Sequence, residues 1–340
     1  MLKKGLIQVY TTESDQPNFA PIGLSLRAAG HGFRILIAGF GCQDLLEELS
    51  SASKIFPNLI IEKHHARMPP VPIDPVPEAL QRVRERLLKG DFDIVILLEV
   101  FQALGRGLIT EDDLLSLMDE KPGHVELVLS GQGASRAIIE RADLVTEMNY
   151  RRQEKNHAKA QNGEEAAPTE VITGNGKGKT TYCLGKALLA SSRKTRTLII
   201  QFIKSSKRYG EVKAIERLHM IDLKTMGQGF LDERTKRSDV PDRKHLKAAK
   251  LAWEACLKNI FSLKYGLAVL DEINIATYYG LTNAGRVREM IFLKPNHLHL
   301  ILSGRNADPE VMEEATTVIE MEEIKHPYKK GIKARKGIEF

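Results

Sequence analysis

The sequence predicts an α/β protein of two tandem domains, each a mostly parallel, doubly wound sheet. Apolar strands alternate with amphipathic helical stretches along the 340 residues, the pattern of strand–helix–strand units. The segment Val9–Phe40 recurs without a gap as Val171–Phe202, at a constant spacing of 162 positions. A glycine-rich stretch, Val171-Ile172-Thr173-Gly174-Asn175-Gly176-Lys177-Gly178-Lys179-Thr180-Thr181, joins a short apolar strand to a helix. In such sheets ligands collect at the carboxyl ends of strands, where this stretch falls.

In the second half Glu170–Thr173, Thr197–Phe202, Ile221–Thr225, Leu267–Asp271, His297–Leu302 and Val318–Met321 read as strands, with Lys247–Leu263 as a long amphipathic helix whose Trp253 packs in the core. The first half repeats the plan. Phe92–Glu99 aligns with Tyr265–Glu272, and Leu129-Ser130-Gly131 with Leu302-Ser303-Gly304. The second copy is longer between Phe202 and Asp271, and its extra residues are placed near Gln228–Asp242, the most polar part of that interval. Met68–Pro77 carries five prolines and reads as a stiff surface connection that cannot be helix or central strand. His64-His65 before it has no clustered partner and reads as surface. Tyr150–Pro168 is polar and charged, and is expected as a linker or exposed polar helix. The expected organisation is thus a first domain over 1–149, a linker over 150–168 and a second domain over 169–340, each domain large enough to bury its own core.

A net charge of +6 and a pI near 9.0 are modest for this length. With no nucleic-acid-binding module and 6% aromatics, no nucleic-acid partner is expected. Lys325, Lys329, Lys330, Lys333, Arg335 and Lys336 form a basic tail, read as a solvated face or as a dock for an acidic substrate or partner. Cys42, Cys183 and Cys256 lack metal or redox spacing and read as reduced thiols. With no signal peptide and no apolar run of membrane-spanning length, a soluble, cytoplasmic protein is expected.

The glycine-rich stretch is a phosphate cradle. Its glycines let successive N–H groups turn toward one anion, and the helix N-terminus adds partial positive charge. Lys179 can neutralise phosphate oxygens, and the Thr180 hydroxyl is placed to hold Mg²⁺. The loop opens at Gly174, one residue later than the common pattern, where Thr173 stands. Leu267–Glu272 is an apolar strand ending in two acids, and Asp271 and Glu272 are expected beside the Mg²⁺ of Thr180. Ser303-Gly304-Arg305 ends another strand at the same edge, so Arg305 can reach phosphate or leaving group. These residues license an NTP- and Mg²⁺-dependent protein; kinase, hydrolase, ligase, alkyl transferase and a non-catalytic nucleotide-sensing module all stay open.

The first copy reads Thr12-Glu13-Ser14-Asp15-Gln16-Pro17-Asn18-Phe19 where the second has its cradle. Glu13 and Asp15 repel phosphate, Pro17 replaces Lys179, and Leu98 stands where Asp271 does. That half keeps the fold without the chemistry.

The second half, from about Thr169 onward, resembles the P-loop corrinoid adenosyltransferases, which act on cob(I)yrinic acid a,c-diamide and cobalamins and have a RecA-like, P-loop NTPase-type fold. The likeness lies in Thr173–Thr181, Gln201-Phe202-Ile203-Lys204, Tyr209-Gly210-Glu211, Gly227-Gln228-Gly229-Phe230, Leu270–Asn274, Ser303-Gly304-Arg305, Lys325–Tyr328 and Gly337–Phe340. The first half is similar more faintly, through Arg27–Gly32 and Ala142–Met148. The resemblance implies that Co(I) of a corrinoid substrate attacks the 5′ carbon of ATP and that tripolyphosphate leaves intact. It implies that Gly174, Asn175, Gly176, Lys177, Gly178, Lys179, Thr180 and Thr181 hold the triphosphate. Lys179, Glu272 and Arg305 are the implied catalytic residues, and Thr180, Asp271 and Glu272 the Mg²⁺ site. Phe230 would lie against the corrin, with Asp232 nearby where the family usually has tryptophan. The family usually has an arginine at the position of Leu189, and the first copy carries one at the equivalent Arg27. A reductase supplying Co(I) is an implied partner. Family members typically pair as homodimers, so the inactive half is expected to mimic a partner in an intramolecular pseudo-dimer; further association of chains stays open.

Overall fold

The computed structural model describes residues 2–64, 76–153, 166–205, 209–229 and 243–340. The first half runs β1 (Ile7–Thr12), α1 (Ala20–Gly30), β2 (Ile35–Phe40), α2 (Gln43–Ile55), β3 (Leu59–His64), α3 (Val76–Lys89), β4 (Ile94–Leu98), α4 (Val100–Gly105), α5 (Glu111–Glu120), β5 (Glu126–Gln132), α6 (Arg136–Arg141) and β6 (Leu144–Gln153). The second runs β7 (Thr169–Thr173), α7 (Lys179–Ser192), β8 (Thr197–Gln201), α8 (Gly210–Ile215), β9 (Ile221–Thr225), α9 (Arg243–Ile260), β10 (Leu267–Asp271), α10 (Ile273–Tyr278), α11 (Ala284–Leu293), β11 (His299–Ser303), α12 (Pro309–Glu313) and β12 (Thr317–Lys325). The repeat read in the sequence is therefore carried by elements of the same kind in the same order.

The strands form one twelve-stranded sheet, ordered β3-β2-β4-β5-β1-β6-β12-β7-β11-β10-β8-β9. Each six-strand half is parallel throughout, and the halves meet in one antiparallel pair, β6 with β12. The order reads the same from either end once repeat partners are matched, so an approximate two-fold axis passes through the β6–β12 seam. β1, β2 and β4 are buried along their whole length, as helices on both faces require of parallel strands.

Two expectations need correction. Tyr150–Gln153 are not linker: they complete β6 and pair with Val318 and its neighbours on β12. Residues 154–165 of that expected linker lie outside the described residues. The proline-rich run ends inside a helix, because Pro77 occupies the first turn of α3, where a missing N–H costs no intrahelical bond; residues 68–75 of the run, and His65, lie outside the described set. Each half does bury a core of its own, as expected. Leu36, Val95 and Leu117 pack within the first half, and Leu198, Trp253 and Met290 within the second. The largest cluster, however, mixes Leu24, Leu26 and Ile37 with Tyr182, Leu184 and Ile199.

This shared layer is made by α1 crossing α7. A Cβ on Gly23 would lie 1.8 Å from the Thr181 carbonyl oxygen, and one on Gly185 would lie 2.2 Å from that of Phe19. Gly23 and Gly185, and Phe19 and Thr181, are repeat partners, so both contacts express one symmetric close approach. Only glycine permits it.

The closing basic tail is not simply a solvated face. Arg335 reaches Glu126, which is fully buried, at 2.6 and 2.9 Å, and Lys325 donates to the Glu140 carbonyl at 2.7 Å. Lys333 and Lys336 are exposed. Cys183 and Cys256 are buried free thiols and Cys42 is half-buried. Among the described residues no helix is long and apolar enough to cross a membrane.

Candidate functional site

The glycine-rich loop leaves the carboxyl end of β7 and is pressed against β12. The Gly176 N–H donates to the Met321 carbonyl at 2.7 Å. A Cβ on Gly174 would sit 2.3 Å from that same oxygen, and Gly174 and Gly178 adopt φ of +90° and +113°. The glycines are thus dictated by the wall behind the loop as well as by its curvature. Lys179 opens α7 and folds back: its Nζ donates to the carbonyls of Gly174 and Gly176, both at 2.7 Å. Burial lowers its ammonium to about 8.

The Thr180 hydroxyl donates to Asp271 Oδ1 at 3.0 Å. Asp271 ends β10, is 1% exposed, and also accepts from Ser303 Oγ at 2.7 Å and Gln201 Nε2 at 3.1 Å. Glu272 follows with φ +65°, which turns its side chain off the strand direction. Burial, and then the neighbouring Asp271, push the Glu272 carboxyl above the usual carboxylate range. A buried acid adjoining a half-buried one favours a cation beside them.

Lys179, Thr180 and Glu272 open on a cavity of about 390 Å³, and Asp271 is not among its lining residues. Gly176 to Thr181, Glu272 and Arg305 line it, together with Ile203, Lys204, Ile275 and Tyr279. Gly174 and Asn175 open instead on an adjoining cavity with Arg151, Arg152 and Asn306. Phe230 and Asp232, expected on the corrinoid side, lie outside the described residues, as do residues 230–242 of the expected insertion.

The opposite wall was not foreseen. Gln8, Tyr10, Leu24 and Arg27 of the first half, with Ile338 and Glu339 of the closing segment, complete the cavity. The antiparallel seam explains this: it sets the carboxyl edge of β7 against the amino edge of β1 and the last turn of α1. The same symmetry carries Leu189, near the end of α7, to a cavity with Pro17 and Phe19 at the lost loop. An arginine at 189 would serve the half that has no cradle. The one clue in the sequence was that the first copy keeps Arg27 where the second has Leu189.

At the lost loop, Asn18, Glu99 and Ser130 hold the positions of Thr180, Glu272 and Ser303. Asn18 Nδ2, Glu99 Oε1 and Ser130 Oγ are buried without hydrogen-bond partners among the described residues. Leu98, where Asp271 would be, is fully buried. Burial pushes the Glu99 carboxyl from 4.5 to about 7; Cys42 lies near enough to feel its charge, and Gln102 Nε2 donates to its other oxygen at 2.9 Å. Folding therefore favours the protonated acid. That contribution is complete below pH ~4.5 and is lost as pH rises through about 7, where the ionised form costs on the order of 3 kcal/mol. Glu99→Gln is expected to raise the melting temperature at pH 8 and leave it nearly unchanged at pH 4.5. Equal shifts at both pH values would contradict this.

The family described as ATP:corrinoid adenosyltransferase BtuR/CobO/CobP matches residues 3–166 and, a second time, residues 165–340. The chain belongs to the ATP:corrinoid adenosyltransferase family. It carries two copies of the adenosyltransferase unit, of which the second alone keeps the cradle. A corrinoid adenosyltransferase of Pseudomonas aeruginosa is 35% identical over 182 residues, 53% of this chain and 87% of that protein. A corrinoid adenosyltransferase of Salmonella typhimurium is 30% identical over 181 residues, covering 53% and 89%. An uncharacterized protein of Nostoc sp. is 28% identical over 266 residues, 75% of this chain and 68% of its own length, a span longer than one adenosyltransferase unit.

Proposed function

We propose that this chain is an ATP:corrinoid adenosyltransferase with one working site, acting in the biosynthesis or salvage of adenosylcobalamin. Co(I) of the corrinoid substrate supplies both electrons of the new cobalt–carbon bond, the C5′–oxygen bond of ATP breaks, and tripolyphosphate leaves. The observation that carries this reading is the double family match combined with a single intact cradle, that of Gly174–Thr181.

Co(I) is itself the nucleophile, so the protein needs no general base. Its residues aim, neutralise and exclude water. Lys179 exchanges the carbonyls of Gly174 and Gly176 for phosphate oxygens, while the N–H groups of the loop and the start of α7 hold the triphosphate. Arg305, exposed at the cavity rim, closes on the leaving phosphates. Leu24, Ile203, Ile275 and Ile338 give the cavity apolar walls. By the family likeness, Phe230 and Asp232 are the residues assigned to the corrinoid.

A Mg²⁺ ion fits the hard oxygen donors of Thr180, Asp271 and Glu272, since this ion is usually held by one or two carboxylates plus substrate phosphates. It would neutralise charge on the leaving tripolyphosphate. The assigned organisation is a cradle-free unit that runs to the end of β6 at Gln153 and a catalytic unit over 169–340. The first unit stands in for a dimer partner.

Incubation with ATP, Mg²⁺ and chemically reduced corrinoid tests the reading. The expected result is the visible spectrum of an adenosyl-corrinoid with stoichiometric tripolyphosphate. Release of ADP or inorganic phosphate without alkylation, or binding without turnover, would overturn it.

A further inference from the structure

Arg27 belongs to the half that has lost its cradle, yet it lies on the wall of the surviving nucleotide cavity with a side chain only 7% exposed. Its Nε donates to Glu211 Oε2 at 2.9 Å, and its Nη2 to Glu211 Oε1 at 3.4 Å. Glu211, in the first turn of α8, is fully buried, and its Oε1 also accepts from Lys204 Nζ at 3.0 Å. Lys204 Nζ stands 3.5 Å from Asp271 Oδ2, and Asp271 accepts the Thr180 hydroxyl. A row of alternating buried charges therefore runs from the first half to the carboxylate behind the phosphate loop.

The other arm of the guanidinium holds the closing segment. Arg27 Nη1 donates to the carbonyls of Ile338 and Glu339, both at 3.1 Å. The Glu339 carboxylate in turn takes Lys177 Nζ, a loop lysine, at 3.0 Å. One planar cation thus fixes both a charge row and a cavity wall, a geometry that needs the five donors of arginine. In a low-dielectric interior each buried charge is held where its neighbours place it, because displacement leaves a group unpaired.

We infer that Arg27 is a positioning residue for the surviving site: it sets Asp271 through Glu211 and Lys204, and it holds Ile338 and Glu339 as one wall of the nucleotide cavity. This rests on the adenosyltransferase reading and deepens it, because the unit without a cradle becomes part of the catalytic apparatus.

The test pairs Arg27→Met with Glu211→Gln, so that no buried carboxylate is stranded by loss of the arginine. The double variant is expected to melt close to the parent, to bind Mg–ATP at least about tenfold more weakly, and to adenosylate reduced corrinoid about 10²-fold more slowly in kcat, the scale of a misplaced reacting centre. Arg27→Lys, which can reach Glu211 but not also both carbonyls, should recover part of kcat. A stable double variant with parental Mg–ATP affinity and kcat would overturn the inference. So would a loss of activity that merely tracks a loss of folded protein. Calorimetric Mg–ATP binding without corrinoid separates the two ideas: a parent that binds ATP but does not alkylate sinks the reaction, while a double variant that binds ATP like the parent sinks the role of Arg27.

Discussion

Lys179→Ala is expected to lower adenosylation by about 10²–10³-fold, the scale of removing one preorganised charge-stabilising donor, while leaving the fold in place. Among the described residues its hydrogen bonds go to the carbonyls of Gly174 and Gly176, and its burial already weakens its hold on a proton, so the fold is expected to persist when the ammonium goes. A triphosphate, in contrast, loses the cation at the centre of its cradle. The measurement is kcat/KM for ATP with reduced corrinoid, beside a thermal melt. Alkylation at the parental rate would remove the loop from the mechanism, and with it the assignment of one working site.

Gly23→Ala should be nearly as damaging, although Gly23 belongs to the unit that binds no phosphate. The added methyl would meet the Thr181 carbonyl at 1.8 Å, with Gly185 N at 2.8 Å behind it. Both are backbone atoms of α7, and neither can rotate away. The helices must separate, which opens the shared core around Leu24, Tyr182 and Leu184 and drags the start of α7 from its place under the loop. A loss of about 3 kcal/mol or more is expected from overpacking a backbone crossing, read by denaturant unfolding, with activity falling in parallel. Gly185→Ala should behave alike, since its methyl meets the Phe19 carbonyl at 2.2 Å. A stable, active Gly23→Ala would mean that the two units are not joined through this crossing.

Much of the architecture was legible because it is local. Ile221–Thr225 and Leu267–Asp271 match their strands end to end, since runs of apolar and β-branched residues between turn signals leave few alternatives. Lys247–Leu263 proved to begin earlier and end sooner, as Arg243–Ile260, because the polar residues that open a helix carry no apolar period. Tyr150–Gln153 were misread for a related reason. Their sequence is polar, and what makes them strand is the partner β12, which lies more than 160 residues away.

The sequence by itself determined the repeat, the loss of one cradle and the survival of the other, and the residues Lys179, Thr180, Asp271, Glu272 and Arg305 that face one cavity or brace it. These follow from residue type at short spacing, where covalent connectivity does the positioning. Only the tertiary structure decided that the site is shared between the halves. Gln8, Tyr10 and Arg27 line the cavity beside the loop because β6 and β12 pair antiparallel and two glycines let α1 and α7 touch, and such contacts between distant segments depend on shape and burial, which no short stretch of the chain encodes.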